Sequence, residues 1–243
     1  MSASSVVGGS IRSGALLHTT PYAPLMDGLR LIYLGDPMCS WCWGIAPELE
    51  RLRTRVTLPL DVVVGGLRQG PSADRMNATT AARLAEHWRH VEERSGQPFD
   101  FSILDDHTWT YDTEPACRAV VTMRRVAPAH TLDWFATLQR AFYAEGRLLD
   151  DPTTIADLAA AFPVDPGTFV EAWASRDVVK ETWRDFSWAR SIGVQAFPTI
   201  VLEHPGGLRA IAHGYTTAEA MYERLEGALP VEVGATCLLG EPC

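Results

Sequence analysis

Cysteine is scarce in this chain, five among 243 residues. That is too few for a disulfide-stapled scaffold, and one is left over from any complete pairing. Positive charge is in deficit: 21 Lys and Arg against 30 Asp and Glu leave a formal charge of −9. A nucleic-acid partner selects for a basic face and an anionic bilayer for a polybasic one, so neither is expected. No run approaches the ~18 consecutive apolar residues of a membrane span. The opening stretch MSASSVVGGSIRSGALLHTTPYAP has neither a basic leader nor a continuous apolar segment. It reads as a loose arm, with no secretory signal, and the cytoplasm is the predicted compartment. What remains is ordinary: 47% hydrophobic and 21% charged residues, the balance of a globular protein with its own core.

Along the chain, LRLIYLGD (29–36) is a short apolar run closed by Gly-Asp-Pro, a buried strand and a turn. From 41 to 56, Ile45, Leu49, Leu52 and Val56 recur at helical spacing, with Pro47 expected in an early turn. LPLDVVVGGL (58–67) is a second strand ending in a Gly pair. The three pieces predict a β-α-β unit with parallel strands. From 71 to 192 the periodicity is helical throughout. One helix over 79–94 buries Ala81, Leu84, Trp88 and Val91, and another has Thr113 as its N-cap and Pro115 in its first turn. Further helices are predicted over 130–145, 152–162, 166–175 and 177–191. FPTIVLE (197–203) and LRAIAHG (208–214) then read as a hairpin, and 217–229 as a last helix capped by Thr217.

The predicted organisation is therefore an arm (1–28), a first half-domain (29–70), an all-helical insertion (71–192), a second half-domain (193–230) and a tail (231–243). No internal repeat is present.

The chemistry concentrates in DPMCSWCWG (36–44). Cys39 and Cys42, three apart at a helix start, face one side of a turn and can approach disulfide distance. Free N–H groups and the helix dipole favour a thiolate on Cys39, the outer residue, which makes it the nucleophile and Cys42 the resolving thiol. With no basic residue between the sulfurs and Asp36 upstream, the acidification expected is modest. A structural zinc needs four ligands and only one such pair exists, so no metal is predicted. No cofactor is predicted beyond a redox-active Cys39–Cys42 disulfide. Trp43 is expected to pack against the sheet and Trp41 to form an apolar rim for substrate.

Taken together, DPMCSWCWG, HWRHVEERSGQPFDF, EPACRAV and GVQAFPT, in that order, resemble the DsbA-like branch of the thioredoxin superfamily. They are most similar to its predicted disulfide-isomerase members, relatives of the FrnE proteins. The resemblance implies an α/β thioredoxin-like fold (β-α-β … β-β-α) with a large helical insertion. It also implies that Pro198 is the family's cis-proline facing the disulfide. Phe197 and Thr199 beside it would offer backbone groups to substrate. The strongly oxidising periplasmic members carry Pro-His between the cysteines, where this chain has Ser40 and Trp41, and a strong-oxidant role is not implied. Kappa-class glutathione transferases and chromene-carboxylate isomerases share the architecture but have serine where Cys39 stands.

The function expected is a disulfide reductase or isomerase acting on protein or small-molecule disulfides, with glutathione or thioredoxin as a candidate reductant. Two alternatives stand beside it: a glutathione-dependent isomerase or transferase, and a non-catalytic peptide-holding or metal-binding module. Cys117 reads as a small buried hydrophobe or a third thiol near the site. Cys237 and Cys243 in the tail ATCLLGEPC are candidate accessory thiols. His87 and His90, beside Glu86 and Glu93, read as a solvated polar face.

Overall fold

The structure, a computed structural model, describes residues 28–229. The predicted arm up to residue 27 and the predicted tail, with Cys237 and Cys243, lie outside the described residues.

β1 (Arg30–Gly35), α1 (Ser40–Arg55) and β2 (Leu60–Val64) form the expected β-α-β unit. β1 and β2 run parallel, with Leu31 opposite Leu60 and Gly35 opposite Val64. The insertion then runs through β3 (Asp74–Arg75), α2 (Ala78–Ser95), β4 (Thr110–Tyr111), α3 (Glu114–Val126), α4 (Thr131–Tyr143), α5 (Pro152–Ala159), α6 (Pro166–Ala174) and α7 (Arg176–Ser191). β5 (Thr199–His204), β6 (Gly207–His213) and α8 (Ala218–Glu226) complete the described chain. The sheet order is β2-β1-β5-β6, with β5 antiparallel to both neighbours. This is a thioredoxin-like fold with a helical insertion between its halves.

β1 is buried on both faces. Leu31 and Tyr33 enter the main core under α1, while Ile32 and Leu34 pack with Val201 and with Ala189 of α7 on the other side. Two-sided burial is why this strand reads as an unbroken apolar run and not as an alternation.

Three expectations are corrected. The insertion is not wholly helical: β3 and β4 form a two-stranded antiparallel ribbon, Asp74 opposite Tyr111. Strands two residues long carry no periodicity to read. Pro47 lies inside α1 and not in an early turn. Having no N–H, it leaves the carbonyl of Trp43, four residues back, without its helical partner. Gln97 supplies one, its Nε2 donating to Trp43 O at 3.0 Å. Trp43 packs not on the sheet but on the insertion: its Nε1 donates to Pro98 O at 3.0 Å and its ring stacks on Tyr143. Tyr143 in turn belongs to an aromatic layer with Trp88 and Phe142, centroids 5.1 and 4.9 Å away. The helix bearing the cysteines is thus fastened to the insertion by both hydrogen bonds and stacked rings.

β2 is an edge strand, and an ion pair covers its open side. Asp185 of α7 accepts from Val64 N at 3.1 Å, and Arg124 of α3 donates to Val62 O at 3.0 Å. The two side chains also pair with each other at 2.7 Å, so they occupy the edge as a strand would. Burial raises the Asp185 carboxyl above its usual range, against the opposing pull of Arg124. Asp185→Ala leaves Arg124 and the Val64 amide short of a partner. The expected cost is about 2 kcal/mol in urea unfolding, below that of a fully buried pair because both side chains keep some exposure. A loss under about 0.5 kcal/mol, the range of ordinary surface changes, would show that the pair does not support the edge.

Candidate active site

α1 begins immediately after Cys39, whose backbone is extended (φ −93°, ψ 116°) and whose carbonyl accepts the first helical bond, from Trp43 N at 3.1 Å. Cys39 makes no side-chain cap and the first turn holds no acidic residue. The free amides and positive end of the dipole therefore act on the region of its sulfur. The Cys39 thiol donates to the carbonyl oxygen of Phe197 at 3.5 Å, and the Phe197–Pro198 peptide is cis. Cys39 is 5% exposed and Cys42 fully buried.

Phe197 fits because Gly65, the first of the Gly pair that ends the β2 run, has no side chain, while its neighbour Gly66 makes room for Phe186. A Cβ on Gly65 would come within 1.9 Å of the Phe197 ring, and Gly66 takes a φ of +66°. Thr199, by contrast, is enclosed: its hydroxyl donates to Ala196 O at 2.9 Å and its backbone pairs with Leu34 and His213. Trp41 is half-buried at the surface between the cysteines, beside His87, His90 and Tyr215.

Behind the sulfurs lies Asp36, which has no exposure to water. Its carbonyl accepts from Cys39 N at 3.0 Å and its amide points at Cys42 Sγ at 3.5 Å. Its Oδ1 accepts from Met38 N at 2.9 Å, and its Oδ2 accepts from Leu67 N and Thr113 Oγ1, both at 2.7 Å, and from Cys117 Sγ at 3.4 Å. Thr113 does precede α3, but its side chain makes no cap and serves the carboxyl instead. The expectation that Asp36 merely opposes a thiolate missed this second role. A polar strand end followed by a turn gave no sign that four donors, three of them distant in sequence or on another element, would converge there.

Burial acts strongly on two of the thiols. Burial pushes the Cys42 thiol well up, and the Cys39 sulfur adds to the shift; the Asp36 amide and the Tyr33 hydroxyl oppose it. Burial likewise raises the Cys117 thiol well above its ordinary value, and the Asp36 carboxyl raises it further. Cys117 is thus both a buried side chain and part of the site, where it acts as a hydrogen-bond donor. Burial raises the Asp36 carboxyl too, against the pull of its donors, of which Leu67 N contributes most. Tyr33, under α1, and Tyr111, whose hydroxyl donates to Met38 O, are site residues that the sequence pattern did not single out. Among the described residues no group of three or more His, Cys, Asp or Glu side chains is arranged to hold a metal. Nor is any described helix long and apolar enough to cross a membrane.

Residues 32–226 match the family described as DSBA-like thioredoxin domain. Among solved structures, a protein from Nitrosomonas europaea assigned as a protein disulfide isomerase is 30% identical, covering 82% of this chain and 97% of its own, with a TM-score of 0.74. The cytosolic disulfide reductase DsbM from Pseudomonas aeruginosa is 25% identical over 81% of this chain and 95% of its own, TM-score 0.68. DsbM has also been solved with GSH, at a TM-score of 0.66. A curated relative, the ClpXP adapter protein SpxH of Bacillus subtilis, is 21% identical over 189 residues, and this chain spans 60% of its length.

Two expectations follow from the geometry. In the reduced protein, iodoacetamide is expected to label Cys39 about tenfold or more faster than Cys42 or Cys117, because only thiolates react and burial keeps those two protonated. Labelling of Cys42 should rise only at pH above the ordinary thiol range, since its raised value moves thiolate formation to higher pH. Equal labelling of Cys39 and Cys42 at pH 7 would contradict this. Thr113→Val, which keeps the shape and removes the donor, is expected to cost about 1–3 kcal/mol. An unchanged denaturation midpoint would mean that the Asp36 cluster does not need it.

Proposed function

The chain belongs to the DSBA-like thioredoxin family of thiol–disulfide oxidoreductases, and from that premise we propose that it works through Cys39 and Cys42 as a disulfide reductase or isomerase. The observation that carries the reading is the Cys39 sulfur set at the start of a helix, 3.5 Å from the carbonyl beside a cis-proline, with a second thiol buried behind it.

The steps balance as two thiol–disulfide exchanges. The Cys39 thiolate attacks one sulfur of a substrate disulfide; the substrate S–S bond breaks, a Cys39–substrate disulfide forms, and the leaving sulfur takes up a proton. Cys42 then gives up its proton and attacks Cys39 Sγ, releasing the second substrate thiol and forming Cys39–Cys42. Two electrons pass from the dithiol to the substrate. If the substrate thiol attacks a different disulfide first, the same chemistry isomerises. Two equivalents of a low-molecular-weight thiol, glutathione by analogy with the DsbM structure that contains it, return the pair to the dithiol.

Three features support the reducing direction. No histidine stands between the sulfurs to stabilise the reduced form. Burial keeps Cys42 protonated, so the reduced pair is not held as a double thiolate. The cytosolic description of DsbM agrees with a cytoplasmic, glutathione-fed role for this protein. A glutathione-dependent transferase needs only one sulfur, which leaves the placement of Cys42 behind Cys39 without a purpose.

In insulin reduction driven by dithiothreitol, wild-type protein is expected to accelerate precipitation and Cys39→Ser to fall to background. Cys42→Ser is expected to accumulate a mixed disulfide at Cys39, visible by mass spectrometry. Full activity in Cys39→Ser, or full turnover without Cys42, would refute the dithiol assignment.

A further inference from the structure

In a chain of net charge −9, α2 carries Arg83, His87, His90 and Arg94 at spacings of four, three and four, which place them on one exposed strip of the helix. Arg83 is paired with Asp74 at 3.3 Å. Among the described residues, His87, His90 and Arg94 make no ion pair, although Glu86 and Glu93 lie on the adjoining strip. These three groups gather about Trp41, which lies between the cysteines in sequence, and about Tyr215 beside it. Trp41, which separates the cysteines, meets the His87 and His90 rings edge-on at 6.0 and 5.5 Å. Tyr215, which follows β6, also lies against Trp41, at 6.0 Å, and the Arg94 guanidinium lies 4.8 Å over the Tyr215 ring. The mouth of the site is therefore an aromatic floor with a basic edge.

We infer that His87, His90 and Arg94 form a recognition edge for small carboxylate-bearing thiols and disulfides of tripeptide size, whose apolar portion lies over Trp41 and Tyr215 while the sulfur meets Cys39. This rests on the dithiol reading above and names its substrate class. The dimensions agree. From His87 to Arg94 the helix rises about 10 Å, and three extended residues span about 10 Å. A peptide thiol with a carboxylate at each end can thus engage both ends of the edge. Arg94 is the anchor, because its planar guanidinium fork matches a carboxylate and its ring contact holds it beside Tyr215. Burial lowers the His87 value, with further lowering from His90 and Arg68, so it serves as a neutral donor.

The test is a single-turnover oxidation of the reduced protein, followed by tryptophan fluorescence. Glutathione disulfide, which is anionic, is compared with bis(2-hydroxyethyl) disulfide, which is neutral. The quantity read is the ratio of the two second-order rate constants. For His90→Glu/Arg94→Glu the ratio is expected to fall about tenfold, and by a smaller factor for Arg94→Gln, as attraction between exposed charges is lost or reversed. Arg89→Glu reverses one arginine's charge, as the Arg94→Glu half of the double variant does, but against Phe101 on another side of α2, and should leave the ratio within about twofold. Raising salt to about 1 M, where the Debye length is about 3 Å, should erase the wild-type preference. An unchanged ratio in the double variant, or an equal fall in Arg89→Glu, overturns the inference while leaving the dithiol chemistry intact. If the reduced wild-type protein reacts with neither disulfide, the dithiol reading itself fails and takes this one with it.

Discussion

A carboxyl group with no contact with water, three residues before the first cysteine of the Cys39–Cys42 pair, is the constraint around which this part of the fold is built. Asp36 grips the loop through every polar group it has. Its carbonyl fixes the amide of Cys39, its amide faces the sulfur of Cys42, and its side chain accepts from Met38, Leu67, Thr113 and Cys117. A buried carboxyl is costly unless its oxygens are filled. Here they are filled by donors from the loop itself, from the segment after β2 and from the start of α3. Anything that shifts one of those pieces exposes the penalty, so the insertion and the thioredoxin-like half are held in one relative position.

The insertion is accordingly more than a cover. It contributes the Thr113 hydroxyl and Cys117 thiol to the carboxyl, the Tyr111 hydroxyl to the carbonyl of Met38, and the Gln97 amide to the carbonyl that Pro47 leaves open in α1. It receives Trp43 through the Pro98 carbonyl and the Tyr143 ring. The second half supplies the Phe197 carbonyl at the Cys39 sulfur, on a cis peptide. The result is asymmetric: one sulfur at the mouth with a sliver of exposure, one sealed behind it and kept protonated by burial.

Much of this was legible in the sequence, and the limits are instructive. The cysteine pair, the apolar run before it and the FPT segment carry local signals, and they fall where the fold places them. The helices of the insertion were visible because each buries a full face, as Ala81, Leu84, Trp88 and Val91 do in α2. The convergence on Asp36 was not visible. Its partners lie 31, 77 and 81 positions away, and no periodicity encodes such a meeting. Thr113 carried an ordinary helix-cap signal that was right about its position and silent about its side chain's partner. A tryptophan at a helix entry predicts burial on the sheet; here the insertion offers both a stacking face, Tyr143, and a carbonyl, that of Pro98, for its N–H. His87 and His90 looked like a solvated face, and they are exposed; only the fold brings Trp41 against them.

The reduction potential of the Cys39–Cys42 couple, measured by equilibration against a graded glutathione buffer with the disulfide identified by mass, tests the central claim most directly. With nothing basic between the sulfurs and a buried, protonated Cys42, the pair should close as a single two-electron transition in the reducing to intermediate range, about −270 to −180 mV. A couple near the strongly oxidising value of about −120 mV, or no Cys39–Cys42 disulfide at any poise, would contradict the account.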